Sequence, residues 1–102
     1  MSEVIILSGY VSLPPENMER ARPHLQAMAE ASRGEAGCIS YSMAFDVNVP
    51  GRINIFEVFE SAEALAVHRA SSHMATWRAS WPDLGIGDRN MWQYDVADFR
   101  KI

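Results

Sequence analysis

A glutamate and a histidine, Glu57 and His68, are the residues of this sequence best placed to do chemistry. The alternating run 53–59 predicts a strand whose Glu57 carboxylate lies on an otherwise apolar face, where an unpaired charge is costly. A helix that begins after Ser61 and buries Leu65 turns His68 toward the same face. An imidazole held by a carboxylate is a common general base, so the pair predicts proton-transfer chemistry with Glu57 supporting His68.

Glu57 and His68 could equally form a buried hydrogen bond that only fixes the helix on the sheet. The sequence leaves the catalytic and the structural interpretation open. His73 follows His68 by five residues, about 140° around a continuous helix, so we predict a capping or surface residue and no metal site. His24 carries no signal. Cys38 is the single cysteine of the sequence, which excludes an internal disulfide and a cysteine-based metal cluster.

Broad side chains near the predicted pair suit a flat aromatic ligand. The substrate-binding residues that we predict are Tyr41, Phe59, Met74, Trp77 and Trp92. Each is also an ordinary core residue, because aromatic and methionine side chains at regular spacing usually form a buried stripe. The sequence has no glycine-rich phosphate loop and no clustered metal ligands, so we predict no cofactor.

The composition predicts one small globular domain that spans residues 1–102. Nine basic and thirteen acidic residues give a net charge of −4, and the arginines are scattered, which argues against nucleic acid as a partner. The amino terminus has a run of only four apolar residues, too short for a signal peptide or a membrane span. We therefore expect a cytoplasmic protein with no membrane partner.

Periodicity predicts the element order β-α-β-β-α-β, the split unit of α+β ferredoxin-like folds with an antiparallel sheet. The predicted strands are 4–12, 38–47, 52–60 and 88–99, and the predicted helices are 16–34 and 62–81, the second broken near 71–72 and closed by Pro82. Helices cover one face of such a sheet, yet the strands are apolar on both. The uncovered apolar face predicts a homodimer with sheet packed on sheet.

Three segments together carry a family resemblance: Glu35-Ala-Gly-Cys-Ile-Ser-Tyr41, the run 57–68 and Ser72-His73. In this order they resemble the antibiotic biosynthesis monooxygenase superfamily of dimeric α+β barrel proteins, which includes the quinol monooxygenases. The resemblance implies an active cavity between sheet and helices. It also implies chemistry without flavin, metal or haem. The haem-degrading branch has an asparagine on the first strand, where this chain has Ser8 and Gly9, so haem degradation is disfavoured.

Without a cofactor, the substrate must itself reduce molecular oxygen, as a deprotonated hydroquinone or polyphenol can. The resemblance and the residue pair together predict a cofactor-independent monooxygenase in which His68 takes the phenolic proton and Glu57 supports the imidazolium. The expected partners are a small aromatic molecule, oxygen and a second copy of the chain. The alternative is a non-catalytic small-molecule-binding dimer of the same fold, which would bind such a molecule but consume no oxygen.

Overall fold

The computed structural model describes residues 3–102, which form one four-stranded antiparallel sheet with helices packed on one face. The strands are β1 (Val4–Ser12), β2 (Cys38–Phe45), β3 (Arg52–Phe59) and β4 (Gly87–Val96), and the α-helices are α1 (Met18–Arg33), α2 (Ala62–Arg69) and α3 (Ser72–Leu84). In space the strands lie in the order β2–β3–β1–β4. The predicted ferredoxin-like order is confirmed, with the second helical region divided into α2 and α3.

Alternation along the strands gives the sheet a covered face, which packs against the helices, and an open face, which does not. Leu7, Glu57 and Tyr41 are direct cross-strand neighbours on the covered face. The core between this face and the helices contains Ile5, Leu7, Val11, Tyr41, Ile53, Ile55 and Phe59 from the strands and Ala21, Leu25, Met28, Leu65, Trp77 and Leu84 from the helices. Glu57 therefore lies in an apolar layer, as its place in the alternation predicts.

Two serine caps divide the second helical region. Ser61 accepts a hydrogen bond from the Ala64 amide and begins α2, while Ser71 accepts one from the Met74 amide and begins α3. The predicted break near residues 71–72 is confirmed. The prediction that Pro82 closes the region was wrong by two residues, because a left-handed Gly85, with φ of 72°, ends α3 after Leu84.

The open face carries large apolar side chains that nothing covers within residues 3–102. Phe56 is 42% exposed, Trp92 56% and Tyr94 51%. Phe56 and Trp92 flank Ser8 in the register, and Tyr94 lies beside Ile6 in the next row on the same face. Among the described residues, no helix is both long enough and apolar enough to cross a membrane.

Candidate active site

His68 is the fully buried centre of a polar cluster on the covered face, with 0% of its surface exposed. It lies on the last turn of α2, whose inner side also buries Leu65. The imidazole packs on the ring of Phe59, with 4.9 Å between centroids, and on Tyr41 at 5.5 Å. These two aromatic residues come from β3 and β2, so both strands fix the plane in which the imidazole lies.

Glu35 is the closest hydrogen-bonding partner of His68, and no sequence pattern assigns it a catalytic role. It lies in the turn between α1 and β2, where its carbonyl oxygen accepts a hydrogen bond from the Cys38 amide. The Nδ1 atom of His68 is 2.9 Å from Oε2 of Glu35. A carboxylate can only accept, so this contact assigns the proton of a neutral imidazole to Nδ1 and leaves Nε2 as the acceptor.

Glu57 faces the other nitrogen of the same imidazole. Its Oε1 atom is 3.5 Å from Nε2 of His68, and neither atom has a hydrogen-bond partner among residues 3–102. Glu57 is 6% exposed, and burial raises the pKa of its carboxyl to about 7 against the opposing pull of the Arg89 and Arg69 guanidinium groups. The predicted pairing of Glu57 with His68 is therefore present as a long contact, while Glu35 occupies the orienting position.

His73 completes the cluster from the first turn of α3. Its Nε2 atom contacts the same Oε2 atom of Glu35, and its ring lies 5.9 Å from that of His68. The expectation that His73 is a capping or surface residue was wrong: Ser71 caps the helix, and the His73 side chain is 23% exposed. The 140° separation assumed one continuous helix, whereas the chain bends between α2 and α3 and brings both imidazoles to Glu35.

A cavity of about 430 Å³ opens beside this cluster, between the sheet and the second helical region. Glu57 and His68 are both lining residues of this cavity. The Nε2 atom of His68 and the Oε1 atom of Glu57 are themselves buried just behind its surface. Apolar surface comes from Leu7, Tyr41, Ile55, Met74, Trp77 and Met91, and positive charge from Arg69, Arg78 and Arg89. The cavity thus combines broad apolar walls with three guanidinium groups and one candidate base.

Comparison with known proteins places this chain in a family. The family model described as antibiotic biosynthesis monooxygenase matches residues 4–80. The chain belongs to that family. It is 34% identical over 83 residues to the Mycobacterium tuberculosis protein named "Putative monooxygenase Rv0793", covering 81% of this chain and 80% of that one. It is 29% identical over 98 residues to the Synechocystis protein sll1783, covering 96% and 67% of the two chains.

Solved structures agree with this assignment to the antibiotic biosynthesis monooxygenase family. The structure of Rv0793 matches with a TM-score of 0.75 and 28% identity over 98% of each chain. A Deinococcus radiodurans structure matches with a TM-score of 0.85 and 25% identity over 97% of each chain. Family membership supports a monooxygenase-type function in general and leaves the substrate open.

The cavity gathers some of the predicted binding residues and leaves out others. Tyr41, Met74 and Trp77 line it. Phe59 does not, because it is fully buried beneath the imidazole. Trp92 does not either, and that expectation needs correction: its register opposite Ser8 places it on the open face, and the cavity side of β4 is supplied by Met91 and Arg89.

Proposed function

We propose that this protein is a cofactor-independent monooxygenase of hydroquinones or other polyphenols, with His68 as its general base. The main support for this proposal is the tautomer of the His68 imidazole, which leaves one ring nitrogen free to accept a proton. Glu35 holds Nδ1, the unpartnered Nε2 lies 3.5 Å from Glu57 Oε1, and both residues line the cavity. An unprotonated imidazole nitrogen of a residue that lines a cavity of this size can accept a proton from a bound phenol.

In the proposed reaction, Nε2 of His68 removes a phenolic proton and the resulting phenolate transfers an electron to oxygen. One oxygen atom enters the ring and the other leaves as water, so that a hydroquinone and O₂ give a hydroxyquinone and H₂O. The substrate supplies both electrons that reduce the second oxygen atom. A positioned base contributes about 10²–10⁴-fold to such a rate.

Charged groups around the cavity favour this proton transfer. Arg69, Arg78 and Arg89 line it and would stabilise the negative charge of a phenolate. The Arg78 guanidinium lies 4.5 Å from the centre of the Trp81 ring, which limits where its charge can lie. Glu57, whose carboxyl has a raised pKa, would ionise beside the newly formed imidazolium of His68 and stabilise it.

The proposed biological unit is a homodimer formed through the open face. Phe56 on β3 and Trp92 and Tyr94 on β4 form an exposed aromatic patch on this face. Exposed apolar patches of this kind commonly mark association surfaces. A two-fold axis through this face would bury the same residues of both copies. The cavity opens on the other side of the sheet, so the dimer would leave it accessible.

An oxygen electrode tests the catalytic proposal directly. Chelator-treated protein should consume oxygen with a hydroquinone or polycyclic phenol from a small panel, and His68→Gln should lower the rate about 10²–10⁴-fold. Glutamine can still donate a hydrogen bond to Glu35 but cannot act as a base, so it limits the stability loss. His24→Ala, a histidine substitution away from the cluster, should keep the wild-type rate.

The same measurement separates the two functions that the sequence left open. Rates are expressed per folded molecule, with the melting temperature of each variant recorded alongside. Saturable binding of these phenols with no oxygen consumption would favour the non-catalytic small-molecule-binding dimer. Turnover that survives His68→Gln in full would remove the histidine from the mechanism.

A further inference from the structure

Glu35, His68 and His73 lie close enough together to form a set of metal ligands. The sequence pattern does not predict this set, and the proposed oxygenase chemistry does not require a metal there. Glu35 comes from the turn after α1, His68 from α2 and His73 from the first turn of α3. One ligand atom from each lies within 4.8 Å of the other two. Convergence from three separate segments means that the fold, and not local spacing, creates the set.

We infer that Glu35, His68 and His73 bind one divalent transition-metal ion, with zinc as the natural probe. Two imidazoles and one carboxylate are a ligand set that zinc uses in sites with an open fourth position. Tetrahedral ligands at about 2.1 Å from a zinc ion lie roughly 3.4 Å apart, so modest side-chain rotations would place these three atoms around an ion. The inference goes beyond the proposed oxygenase function and does not depend on it.

The three ligands become progressively more exposed from the core toward the surface. His68 is fully buried, the Glu35 side chain is nearly so, and His73 is partly exposed. His73 also lines a second depression, with His24, Ala31 and Thr76, between α1 and α3. An ion could enter from this side and keep a water molecule as its fourth ligand, without passing through the larger cavity.

Three buried polar atoms support the inference independently of the ligand distances. Oε1 of Glu35, Nε2 of His68 and Oε1 of Glu57 have no hydrogen-bond partner in the described part of the chain. A metal ion at Nδ1 requires the ring proton of neutral His68 to lie on Nε2, where it can be donated to Glu57 Oε1, now 3.5 Å away. The result is a metal–histidine–carboxylate chain, the usual outer shell of a histidine ligand.

The proposed ion and the proposed base need opposite tautomers of one imidazole. With Glu35 alone on Nδ1, the Nε2 atom is free to accept a proton; with the ion on Nδ1, Nε2 already carries one. Metal binding would therefore prevent His68 from acting as a base. Zinc would inhibit proton transfer in this protein by occupying the far side of the catalytic ring.

Calorimetry with zinc chloride and the chelator-treated 102-residue chain tests the site. We expect one ion per chain, and a loss of more than about 10²-fold in affinity for both His73→Ala and Glu35→Gln, since each removes one of three ligands. His73 is partly exposed, so its substitution should leave the fold intact. His24→Ala is the matched control, because His24 borders the same depression and is outside the ligand set; it should bind like wild type.

A second readout follows the tautomer. Nitrogen NMR of the imidazoles should show the ring proton of His68 on Nδ1 in the metal-free protein and on Nε2 after one equivalent of zinc. Absence of zinc binding in the wild-type protein, equal binding by His73→Ala, or binding that leaves the His68 tautomer unchanged would each overturn the inference. None of these results depends on whether the protein oxidises any phenol, so the two proposals fail separately.

Discussion

The two faces of the sheet are built from the same four strands but follow different physical rules. The covered face buries the Glu57 carboxyl within its apolar layer. There, His68 contacts Glu35 through one ring nitrogen and Glu57 through the other. The open face presents Phe56, Trp92 and Tyr94, and none of the buried residues on it in the described part of the chain has an ionisable side chain. One face is thus suited to chemistry and the other to association.

This difference has an energetic basis. Buried ionisable groups with unpaired atoms reduce stability, so a covered face that retains them is a candidate functional site. Exposed aromatic side chains reduce solubility but gain free energy when a second copy covers them. Substitutions on the open face should therefore change assembly and spare the site, whereas substitutions at the cluster should change chemistry and spare assembly.

The largest expected effect is loss of the dimer in Trp92→Glu. Light scattering of the wild type should give about twice the 11.4 kDa chain mass. A charge introduced among the exposed aromatic side chains of the open face would have to be desolvated twice in a two-fold interface, so the variant should be monomeric at micromolar concentration. Because Trp92 is already half-exposed within one chain, the monomer itself should stay folded.

The matched control for this prediction is Val67→Glu. Val67 is 65% exposed on α2, away from the open face, and the substitution likewise introduces a glutamate in place of an apolar side chain. It should keep the wild-type mass. A wild-type protein that is a folded monomer would refute the proposed dimer, and dissociation by both variants would show that the effect is not specific to the open face.

The next effect concerns the two glutamates of the cluster. If turnover is found, Glu35→Gln should lower kcat about 10²–10⁴-fold, because an amide can donate to Nδ1 of His68 and favour the wrong tautomer. Glu57→Gln should cost less, since this group only stabilises the imidazolium. KM should change little in either variant. Equal losses in both, or a larger loss for Glu57→Gln, would contradict the orienting role assigned to Glu35.

The sequence predicted the elements of this fold because their signals are local. Alternation placed Glu57 on the covered face, helical spacing turned His68 toward it, Ser61 marked the start of α2, and a break was predicted near residues 71–72. Glu35 was missed because it lies in a turn, which has no period, and is 33 positions from His68. The side chains of Glu35 and His68 meet only in the folded chain, where the turn between α1 and β2 lies next to α2.

The errors in the site prediction have equally specific causes. His73 was separated from His68 by applying the rotation of one continuous helix across the break that the sequence itself predicts near residues 71–72. Trp92 was misplaced because β4 lies at the edge of the sheet, where Gln93 and Asp95 can share the covered side with Met91 and still reach solvent. Polarity therefore does not identify the covered side of an edge strand as it does for the central β3.

A smaller effect is the pH dependence of stability that Glu57 contributes. Its pKa is about 7 in the folded chain against an ordinary value of 4.5. The folded state therefore binds the proton more tightly than the unfolded chain, and stability is lost as pH rises from 4.5 to 7. The loss should be on the order of 3 kcal/mol at most. The test compares the free energy of unfolding of the wild type and of Glu57→Gln in metal-free protein at fixed concentration. The wild-type value minus the variant value should fall as pH rises from 4.5 to 7; a difference that does not change with pH would refute the prediction.

The smallest effect tests whether the covered face binds aromatic molecules at all. Trp77 lines the cavity beside Tyr41 and Met74, so a bound phenol should quench its fluorescence in a saturable way. Trp77→Phe keeps an aromatic wall, so affinity should fall only a few-fold while most of the quenching disappears. Trp92→Phe is the control, because Trp92 is on the open face and its loss should leave the saturable component in place. Quenching that rises linearly with ligand, or that vanishes with Trp92 instead of Trp77, would show that the phenol does not occupy the cavity.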